Sequence, residues 1–262
     1  MVRLSVSSLS ADGFGDNDFV RTFELFPQLG FRHVEFNLWH PSNLTPAKIA
    51  DIGERCHKAG LAPSAVYSSS FGGNMAKDVG HKVRMMEAAR ELGCRRIVAT
   101  GDKRGDPKAM DQLIRVLKEL VPAADEMDML ICLENHADNV LENTDDYWRI
   151  ADAIPSQRVG ICVDTGHFEA AGVDMNDLIE RLGPRVNHIH LKDNKEFGAK
   201  RFSRFGEGTV DNHNVIKRML VLGYEGYINI ELSPEIEGAT GPLSAEDLLT
   251  PKRMFEIYAT ES

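Results

Sequence analysis

The hydrophobic residues of this chain lie in short runs that alternate with longer amphipathic stretches. Short apolar runs are typical of strands buried on both faces, and apolar positions spaced three and four apart are typical of helices. The predicted strands are residues 3–7, 31–37, 61–67, 95–100, 129–135, 159–164, 186–192 and 227–232. The predicted helices are residues 19–29, 46–59, 77–92, 108–127, 145–154, 175–182, 213–222 and 245–258. Residues 7–18 are expected to form a loop.

Glycines punctuate this pattern at the ends of predicted helices. A helix, a glycine, a few residues and an apolar strand recur at Gly30, Gly60, Gly93 and Gly223, as expected where glycine ends a helix. Strands that alternate with helices predict a parallel sheet covered by helices. The prediction is an α/β protein, a single (β/α)8 TIM barrel over residues 1–262, with its site at the C-terminal ends of the strands.

Composition narrows the classes of function. The net charge is −10, which argues against a nucleic-acid-binding face because basic residues do not run longer than a pair. No stretch approaches the roughly 20 apolar residues of a membrane span, and the N-terminal residues lack the apolar core of a signal peptide. Four cysteines without a CxxC pair, at positions 56, 94, 132 and 162, are expected to be buried reduced thiols. We therefore expect a cytoplasmic protein.

Acidic and imidazole side chains end four consecutive predicted strands. Because residues two apart on a strand share a face, the side chains expected to meet at the C-terminal rim are Glu134, Asp164, His190 and Glu231. The layer beneath them is expected to hold Cys132, Cys162, His188 and Asn229. Four unrelated rim residues with local hydrogen bonds are the alternative, which their matching positions on successive strands make less attractive.

This set of side chains has the composition of a metal site. Three carboxylates without a counter-ion repel each other and raise their pKa values, and a divalent cation removes that repulsion. Three carboxylates with one imidazole are typical ligands of a moderately hard metal such as Mn²⁺, Mg²⁺ or Co²⁺. Structural zinc is more often bound by sulfur and nitrogen ligands. The expected cofactor is one divalent metal ion, Mn²⁺ first, with Mg²⁺, Co²⁺ and Zn²⁺ as alternatives.

Five motifs carry a resemblance to a known family. They are Leu133-Glu-Asn, Val163-Asp-Thr-Gly-His167, His188-Ile-His-Leu-Lys-Asp193, Gly206-Glu-Gly-Thr-Val and Gly223-Tyr-Glu-Gly-Tyr-Ile-Asn-Ile-Glu231. Together they resemble the xylose isomerase-like barrel superfamily, which includes tagatose/psicose 3-epimerases, inosose and dehydroshikimate dehydratases, and endonuclease IV. The resemblance covers nearly the whole chain. It implies that Glu134, Asp164, His190 and Glu231 bind one divalent metal, commonly Mn²⁺. It also implies that Glu134 and Glu231 form the acid–base pair and that His167 contacts substrate.

The expected function is a metal-dependent sugar isomerase or epimerase. A sugar carbonyl and its neighbouring hydroxyl can chelate the metal, which acidifies the adjacent C–H. One carboxylate removes that proton to give a cis-enediolate, and another carboxylate returns a proton. Return from the opposite face epimerises the carbon, return to the neighbouring carbon isomerises the sugar, and loss of a β-hydroxyl dehydrates it. These outcomes share their first step, so the predicted metal site does not choose among them.

Three rival functions follow from the same pattern. A lyase of the inosose or 3-dehydroshikimate dehydratase type is the closest rival. A non-catalytic sugar-binding or partner-dependent barrel is opposed by the intact ligand set. A DNA-repair endonuclease needs extra histidines at strands three and four that this sequence lacks. The expected partner is a small-molecule sugar or cyclitol, without nucleic acid or membrane, and a homo-oligomer is left open.

Four further residues are candidates for substrate binding. His167 is expected to contact substrate or shuttle a proton. His188 is equally plausible as a core histidine. Lys192 either neutralises a substrate oxyanion or pairs with Asp193. Glu35 either binds sugar hydroxyls or forms a rim salt bridge.

Two groups of residues outside the strand ends each have two possible roles, one in substrate binding and one in structure or solvation. Trp39 and Phe71 either wall a sugar pocket or pack the core. Lys200, Arg201 and Arg204 either receive an anionic substrate or are solvated, and solvation is the more frequent outcome for such groups.

Overall fold

A computed structural model describes residues 2–15, 18–238 and 243–260. Positions 16 and 17 of the predicted first loop lie outside the described residues. The strands are β1 (Arg3–Ser7), β2 (His33–Asn37), β3 (Ala62–Tyr67), β4 (Arg96–Thr100), β5 (Leu130–Glu134), β6 (Val159–Asp164), β7 (Val186–Leu191), β8 (Asp193–Asn194), β9 (Phe202–Ser203) and β10 (Tyr227–Ile230). The α-helices are α1 (Leu9–Asp12), α2 (Val20–Gln28), α3 (Pro46–Ala59), α4 (Met75–Glu91), α5 (Ala109–Glu126), α6 (Thr144–Ala153), α7 (Thr165–Ala170), α8 (Met175–Leu182), α9 (Asn212–Val221) and α10 (Ala245–Phe255). Short 3₁₀ turns cover Pro41–Leu44, Gly183–Arg185 and Glu256–Tyr258.

Eight parallel strands close into a barrel in the order β1-β10-β7-β6-β5-β4-β3-β2. The first and last barrel strands pair directly, with Arg3 opposite Tyr227 and Val6 opposite Ile230. This closure confirms the predicted (β/α)8 barrel. Among the described residues, no helix has the length and apolar character that a membrane crossing requires.

Local sequence signals set the helix ends. Thr45 accepts a hydrogen bond from the backbone N–H of Lys48 at the start of α3, and Asn143 forms a capping box with Asp146 at the start of α6. Such caps satisfy backbone donors that the helix itself leaves free. The four glycines predicted to end helices all have positive φ, between 66° and 81°, as C-terminal capping residues do.

The apolar residues form two cores, one on each side of the strand ring. The larger core lies between the strands and the helices. The smaller core lies inside the barrel and consists of Ala65, Tyr67, Val98, Cys132 and Cys162. All four cysteines are buried free thiols, and burial raises the pKa of Cys132 to about 12, so this thiol stays protonated at neutral pH. The small interior core supports the polar strand ends above it.

Candidate metal centre

Four predicted ligands converge at the C-terminal ends of β5, β6, β7 and β10. One ligand atom from each of Glu134, Asp164, His190 and Glu231 lies within 4.8 Å of the others, and all four residues are buried. His190 Nδ1 is 2.6 Å from Glu134 Oε1 and 3.2 Å from Glu231 Oε2. The two glutamates therefore approach the same imidazole nitrogen from different strands.

The four ligand side chains converge as predicted, although of the four only Asp164 and His190 are direct register partners on neighbouring strands. Glu134 lies opposite Cys162 and Cys162 opposite His188, whereas Asp164 lies opposite His190 and His190 opposite Asn229. Tilted strands in a closed barrel are staggered, so equivalent strand ends step along the axis. The expected lower layer is nevertheless fully buried. The ligands meet because their side chains span this stagger.

Asp164 is fixed by the helix that follows it. Its Oδ1 accepts a hydrogen bond of 2.8 Å from the backbone N–H of His167 and caps the N-terminus of α7. Its Oδ2 turns towards the other carboxylates and lies 2.8 Å from Lys192 Nζ. The Asp-Thr-Gly-His motif is thus a strand end and a helix cap in one segment, and the cap orients the ligand.

The cluster fits a cation by its convergent carboxylate oxygens. Asp164 Oδ2 and Glu231 Oε2 are buried and form no well-aligned hydrogen bond with the part of the chain that the structure describes. Their nearest partners are the ion-pair contacts with Lys192 Nζ and His190 Nδ1. Buried carboxylate oxygens retain acceptor capacity in such contacts, and a divalent ion uses that capacity directly. The field of these carboxylates is strongly negative. Burial opposes charge on Lys192, yet Asp164, Glu231 and Glu134 raise its pKa above the usual value.

Lys192 reaches the cluster along a path that a glycine leaves open. Its Nζ also lies 2.9 Å from Glu231 Oε1, and its backbone is held by Thr165, whose hydroxyl donates to Lys192 O at 3.0 Å. A Cβ at Gly166 would lie 2.8 Å from Lys192 Cβ and Cγ. The structure does not show the predicted alternative in which Lys192 pairs with Asp193, because its ammonium group pairs with Asp164 and Glu231 instead. Its contact with a substrate oxyanion stays a prediction.

Glu134 is surrounded by three donors. The Tyr67 hydroxyl donates to its Oε2, His136 Nε2 lies 2.8 Å from the same oxygen, and His190 Nδ1 faces its Oε1. Burial by itself raises the pKa of the Glu134 carboxyl, but His136 and His190 bring that pKa well below its usual value.

The pKa of Glu231 is shifted in the opposite direction from that of Glu134. Burial raises the pKa of its carboxyl, and the charges of Glu134 and Asp164 add to that effect against the opposing charges of Lys192 and His190. The environments of the two glutamates therefore push their pKa values apart, as acid–base pairs require.

His167 lies at the edge of the cluster as a neutral imidazole. Its ring stacks on His136 with centroids 3.9 Å apart and packs edge-on against Phe202. Burial, followed by the charge of His136, lowers its pKa well below the usual value. Its Nδ1 has no hydrogen-bond partner among the described residues. A neutral ring with a free nitrogen can donate to or accept from a substrate hydroxyl.

Glu35 and His188 lie deeper than the rim. Both are completely buried, and Glu35 Oε2 lies 2.9 Å from His188 Nε2 and 3.1 Å from His190 Nε2. Burial alone raises the pKa of Glu35, but His190 and His188 lower it to about 2, so the carboxylate is charged. The structure thus places these two residues beneath His190, in contact with each other.

Two residues of the site carried no predicted role. Tyr67 ends β3 with its ring over His190, at 6.1 Å between centroids, and His136 follows Glu134 by two residues. Tyr67 ends a strand with its side chain facing the barrel interior, as Glu134 does. This position was the signal in the sequence that could have identified Tyr67 as a site residue. The role of His136 depends on the turn after β5, which alternation along the strand does not predict.

The remaining candidates are divided between the site and the surface. Trp39 packs edge-on against Tyr67 at 5.8 Å, and exposed Phe14 stacks on Trp39. Phe71 is buried beneath Lys82. The basic residues after β7 have carboxylate partners: Lys200 with Glu235, Arg201 with Glu196 and Glu237, and Arg204 with Asp247. Trp39 therefore lies beside the site, and these three basic residues are engaged in ion pairs.

The loop after β7 is ordered by an aspartate. Asp193 is buried and accepts backbone hydrogen bonds from Gly206 at 2.9 Å and Gly208 at 3.1 Å. A Cβ at Gly208 would lie 2.1 Å from Asp193 Oδ1. The Gly206-Glu-Gly208 segment is thus fitted around a carboxylate, and exposed Glu207 lies at its tip.

The family of the chain follows from a direct match. The model of the xylose isomerase-like TIM barrel family matches residues 23–249. The chain belongs to this family. The inosose isomerase of Bacillus velezensis is 23% identical over 257 residues, 91% of each chain. The inosose dehydratase of Geobacillus thermodenitrificans is 28% identical over 137 residues, 46% of each chain. The chain thus spans less than half the length of several curated relatives that it matches.

Solved structures of the family have the same architecture. The IOLI protein with a binding zinc atom superimposes with a TM-score of 0.78 at 19% identity over 98% of both chains. At this level of identity the likeness concerns the fold. The relatives of this chain thus include proteins named as isomerases and dehydratases of inososes, and one solved structure with the same fold is described with a bound zinc atom.

Proposed function

We propose that this family member is a divalent-metal-dependent enzyme that transfers a proton beside the carbonyl of a sugar or cyclitol, as an isomerase or epimerase. The observation that carries this proposal is the position of Glu134 and Glu231, which lie 2.6 and 3.2 Å from the same nitrogen of His190. Two carboxylates from different strands thus face one centre, which is the arrangement that removal and return of a proton require.

The proposed metal ligands are Glu134, Asp164, His190 and Glu231. Their convergent carboxylate oxygens and negative field support a hard divalent ion, and Mn²⁺ is our first choice. When bound, such an ion polarises a substrate carbonyl and acidifies the neighbouring C–H.

Proton transfer is assigned to the two glutamates. Glu134, with a lowered pKa, takes the proton from carbon, while Tyr67 and His136 hold its Oε2 in position. Glu231, with a raised pKa, lies on the other side of His190 and returns a proton to the enediolate. Return to the opposite face of the same carbon inverts its configuration.

Substrate contacts are assigned to residues at the edge of the cluster. His167 offers its unpaired Nδ1 to a hydroxyl, and Lys192 offers positive charge to an oxygen that gains negative charge. Trp39 and Tyr67 provide an aromatic wall on the side of β2 and β3. These groups suit a small polyhydroxylated molecule.

Dehydration of an inosose or of 3-dehydroshikimate is the second candidate. The match to an inosose dehydratase favours it, and the same first proton removal can be followed by loss of the β-hydroxyl as water. The ammonium group of Lys192 beside Glu231 supports protonation of that leaving group.

The test is proton exchange in D₂O. The protein is stripped of metal, incubated with and without Mn²⁺ with ketoses, cyclitol ketones and 3-dehydroshikimate, and followed by NMR. We expect metal-dependent deuterium incorporation beside the carbonyl. An inverted carbon identifies an epimerase, a shifted carbonyl an isomerase, and a conjugated enone absorbing in the ultraviolet a dehydratase.

A pair of variants separates an enzyme from a binding protein. Glu134→Gln keeps the shape of the side chain but removes the base, so turnover should fall at least about 10²-fold. Glu207→Gln, on the exposed loop tip, should leave turnover unchanged. Retained exchange in Glu134→Gln would contradict the assignment of the base. Substrate binding without exchange in the wild-type protein would favour a non-catalytic barrel.

A further inference from the structure

Glu35 is a buried carboxylate on a strand that lies three positions around the barrel from the strand of His190, the metal ligand that it contacts. It comes from β2, has no exposed surface, and meets His188 and His190 of β7 through its Oε2. A buried carboxylate costs several kcal/mol unless strong donors compensate it. Two imidazole N–H groups on one oxygen supply that compensation. The imidazole of His190 lies between Glu35 and the ligand cluster. This position disfavours the binding of sugar hydroxyls, one of the two roles that the sequence left open for Glu35.

The contact determines which nitrogen of His190 carries the proton. A metal ligand must be a neutral imidazole, which has a single N–H. The carboxylate of Glu35 only accepts, so Nε2, 3.1 Å away, must donate to it. With a metal ion in the cluster, the lone pair is then on Nδ1, the nitrogen that faces Glu134 and Glu231. Without an ion, Nδ1 can instead carry a proton and donate it to Glu134 Oε1. Glu35 therefore selects the tautomer that places a metal-binding lone pair inside the ligand cluster.

We propose that Glu35 is a positioning residue that fixes the tautomer and ring orientation of His190 for metal binding. The inference rests on the proposed function only through its metal site and is independent of the reaction catalysed. Carboxylate partners of metal-bound histidines change metal affinity by about 10- to 100-fold. His188 shares the same oxygen and holds the Glu35 carboxylate from the other side.

A second metal site is the competing explanation for this group. Glu35, His188 and His190 could themselves offer three ligands within 4.8 Å. Direct contacts of 2.9 and 3.1 Å already satisfy Glu35 Oε2 and the imidazole nitrogens that face it, which favours a hydrogen-bonded support. Glu35 Oε1 and His188 Nδ1 have no hydrogen-bond partner among the described residues, and a second ion would have to use these atoms. The two explanations differ in stoichiometry, since the support predicts one ion per chain and the competing site predicts two.

The experiment measures metal binding without substrate. Wild type, Glu35→Gln and Glu35→Met are titrated with Co²⁺ and Zn²⁺ against a chromophoric chelator, and the visible spectrum of bound Co²⁺ is recorded. The expected result is one ion per chain and an affinity that falls about 10-fold in Glu35→Gln, which retains one acceptor. Glu35→Met retains no oxygen acceptor, so its metal affinity should be lower than that of wild type by close to 100-fold. The Co²⁺ spectrum should change because the ring of His190 is no longer held.

The matched control is Ser5→Ala. Ser5 is a fully buried polar residue of the same barrel, and its hydroxyl pairs with Ser64 at 2.7 Å and not with a metal ligand. Its loss should leave both affinity and spectrum unchanged. If Glu35→Met does not fold, Glu35→Gln alone decides the question because it preserves volume.

Three results would overturn the inference. Unchanged affinity and spectrum in Glu35→Gln would show that the carboxylate does not position His190, while leaving the proposed function intact. Two ions per wild-type chain, one of them lost in the variants, would assign Glu35 to a second site. A wild-type chain without affinity for divalent ions would overturn both this inference and the proposed function.

Discussion

At the scale of single residues, several charged side chains are buried near the C-terminal ends of the barrel strands. Asp164 caps a helix with one oxygen and faces the cluster with the other, and Glu35 holds an imidazole from below. Lys82 is a further case, outside the ligand cluster. It is fully buried, and its Nζ donates to Ser68 Oγ at 2.9 Å and to the carbonyl of Ser69. It therefore fixes the loop that follows Tyr67 at the end of β3.

Lys82 makes a prediction about stability and pH. Burial lowers its pKa from 10.5 to about 8, so between pH 8 and 10.5 the unfolded chain binds a proton that the folded chain has released. Stability due to this group should then rise with pH across that window, by up to about 3 kcal/mol. In urea unfolding, the advantage of wild type over Lys82→Met should grow from pH 8 to 10.5.

An exposed lysine provides the control for this measurement. Lys58 is exposed and pairs with Glu54 within α3. Lys58→Met should differ from wild type by a nearly constant, small amount over the same pH range, because surface ion pairs contribute little. A constant difference for Lys82→Met as well would mean that Lys82 is charged in the folded protein throughout.

At the scale of elements, the helix and strand boundaries were well predicted from the sequence. The predicted strand over residues 159–164 and helices over 46–59 and 175–182 have the observed bounds, and most other ends differ by one or two residues. The short helices α1 and α7 and the β8–β9 pair were missed. Elements of a few residues show too little periodicity, and α7 exists because Asp164 caps it.

The junction of β6 and α7 with β7 makes a second prediction. In Gly166→Ala the new methyl would press on the Lys192 stem, where Cβ and Cγ are 2.8 Å away. Overpacking of this kind costs about 1–3 kcal/mol, and it moves Lys192 away from Asp164 and Glu231. The free energy of unfolding in urea should fall by that amount.

A second glycine-to-alanine change serves as the comparison. Gly80 lies within α4, and a Cβ there meets nothing within 4 Å. Gly80→Ala should stabilise the protein by about 0.5–1 kcal/mol because alanine favours the helix. If Gly166→Ala and Gly80→Ala changed the free energy of unfolding equally, the close packing of Gly166 against Lys192 would not contribute to stability.

At the scale of the whole molecule, one closed ring of strands brings distant residues to one point. β1 pairs with β10, and Val2 also forms a bridge with Ala259. The ligands come from four neighbouring strands of this ring, β5, β6, β7 and β10, which are separated by helices along the chain. A metal ion that binds this site therefore binds the folded barrel and not the unfolded chain, so binding must stabilise the fold.

Metal-linked stability is the prediction at this scale. At a hundredfold excess over Kd, binding adds about 2.7 kcal/mol, which for a protein of this size raises Tm by roughly 5–10 °C. Calorimetry with Mn²⁺ should show this rise and EDTA should reverse it. Asp164→Asn keeps a good helix cap but loses a charged ligand, so its Tm should respond much less to metal.

The exposed variant Glu207→Gln should respond to the ion as wild type does. An undiminished metal response in Asp164→Asn would place the ion away from the proposed ligands.

The sequence by itself determined the alternation of elements, the barrel and the identity of the residues at the strand ends, because hydrophobic period, capping and strand-end chemistry are local properties. Tertiary structure decided how those residues meet. Strand register placed Glu134 opposite Cys162 and Asp164 opposite His190, and barrel closure brought Glu35 beneath His190 from 155 residues away. The contacts of Tyr67 with Glu134 and of Lys192 with Asp164 and Glu231 likewise join residues that are far apart in the chain, which no local pattern encodes.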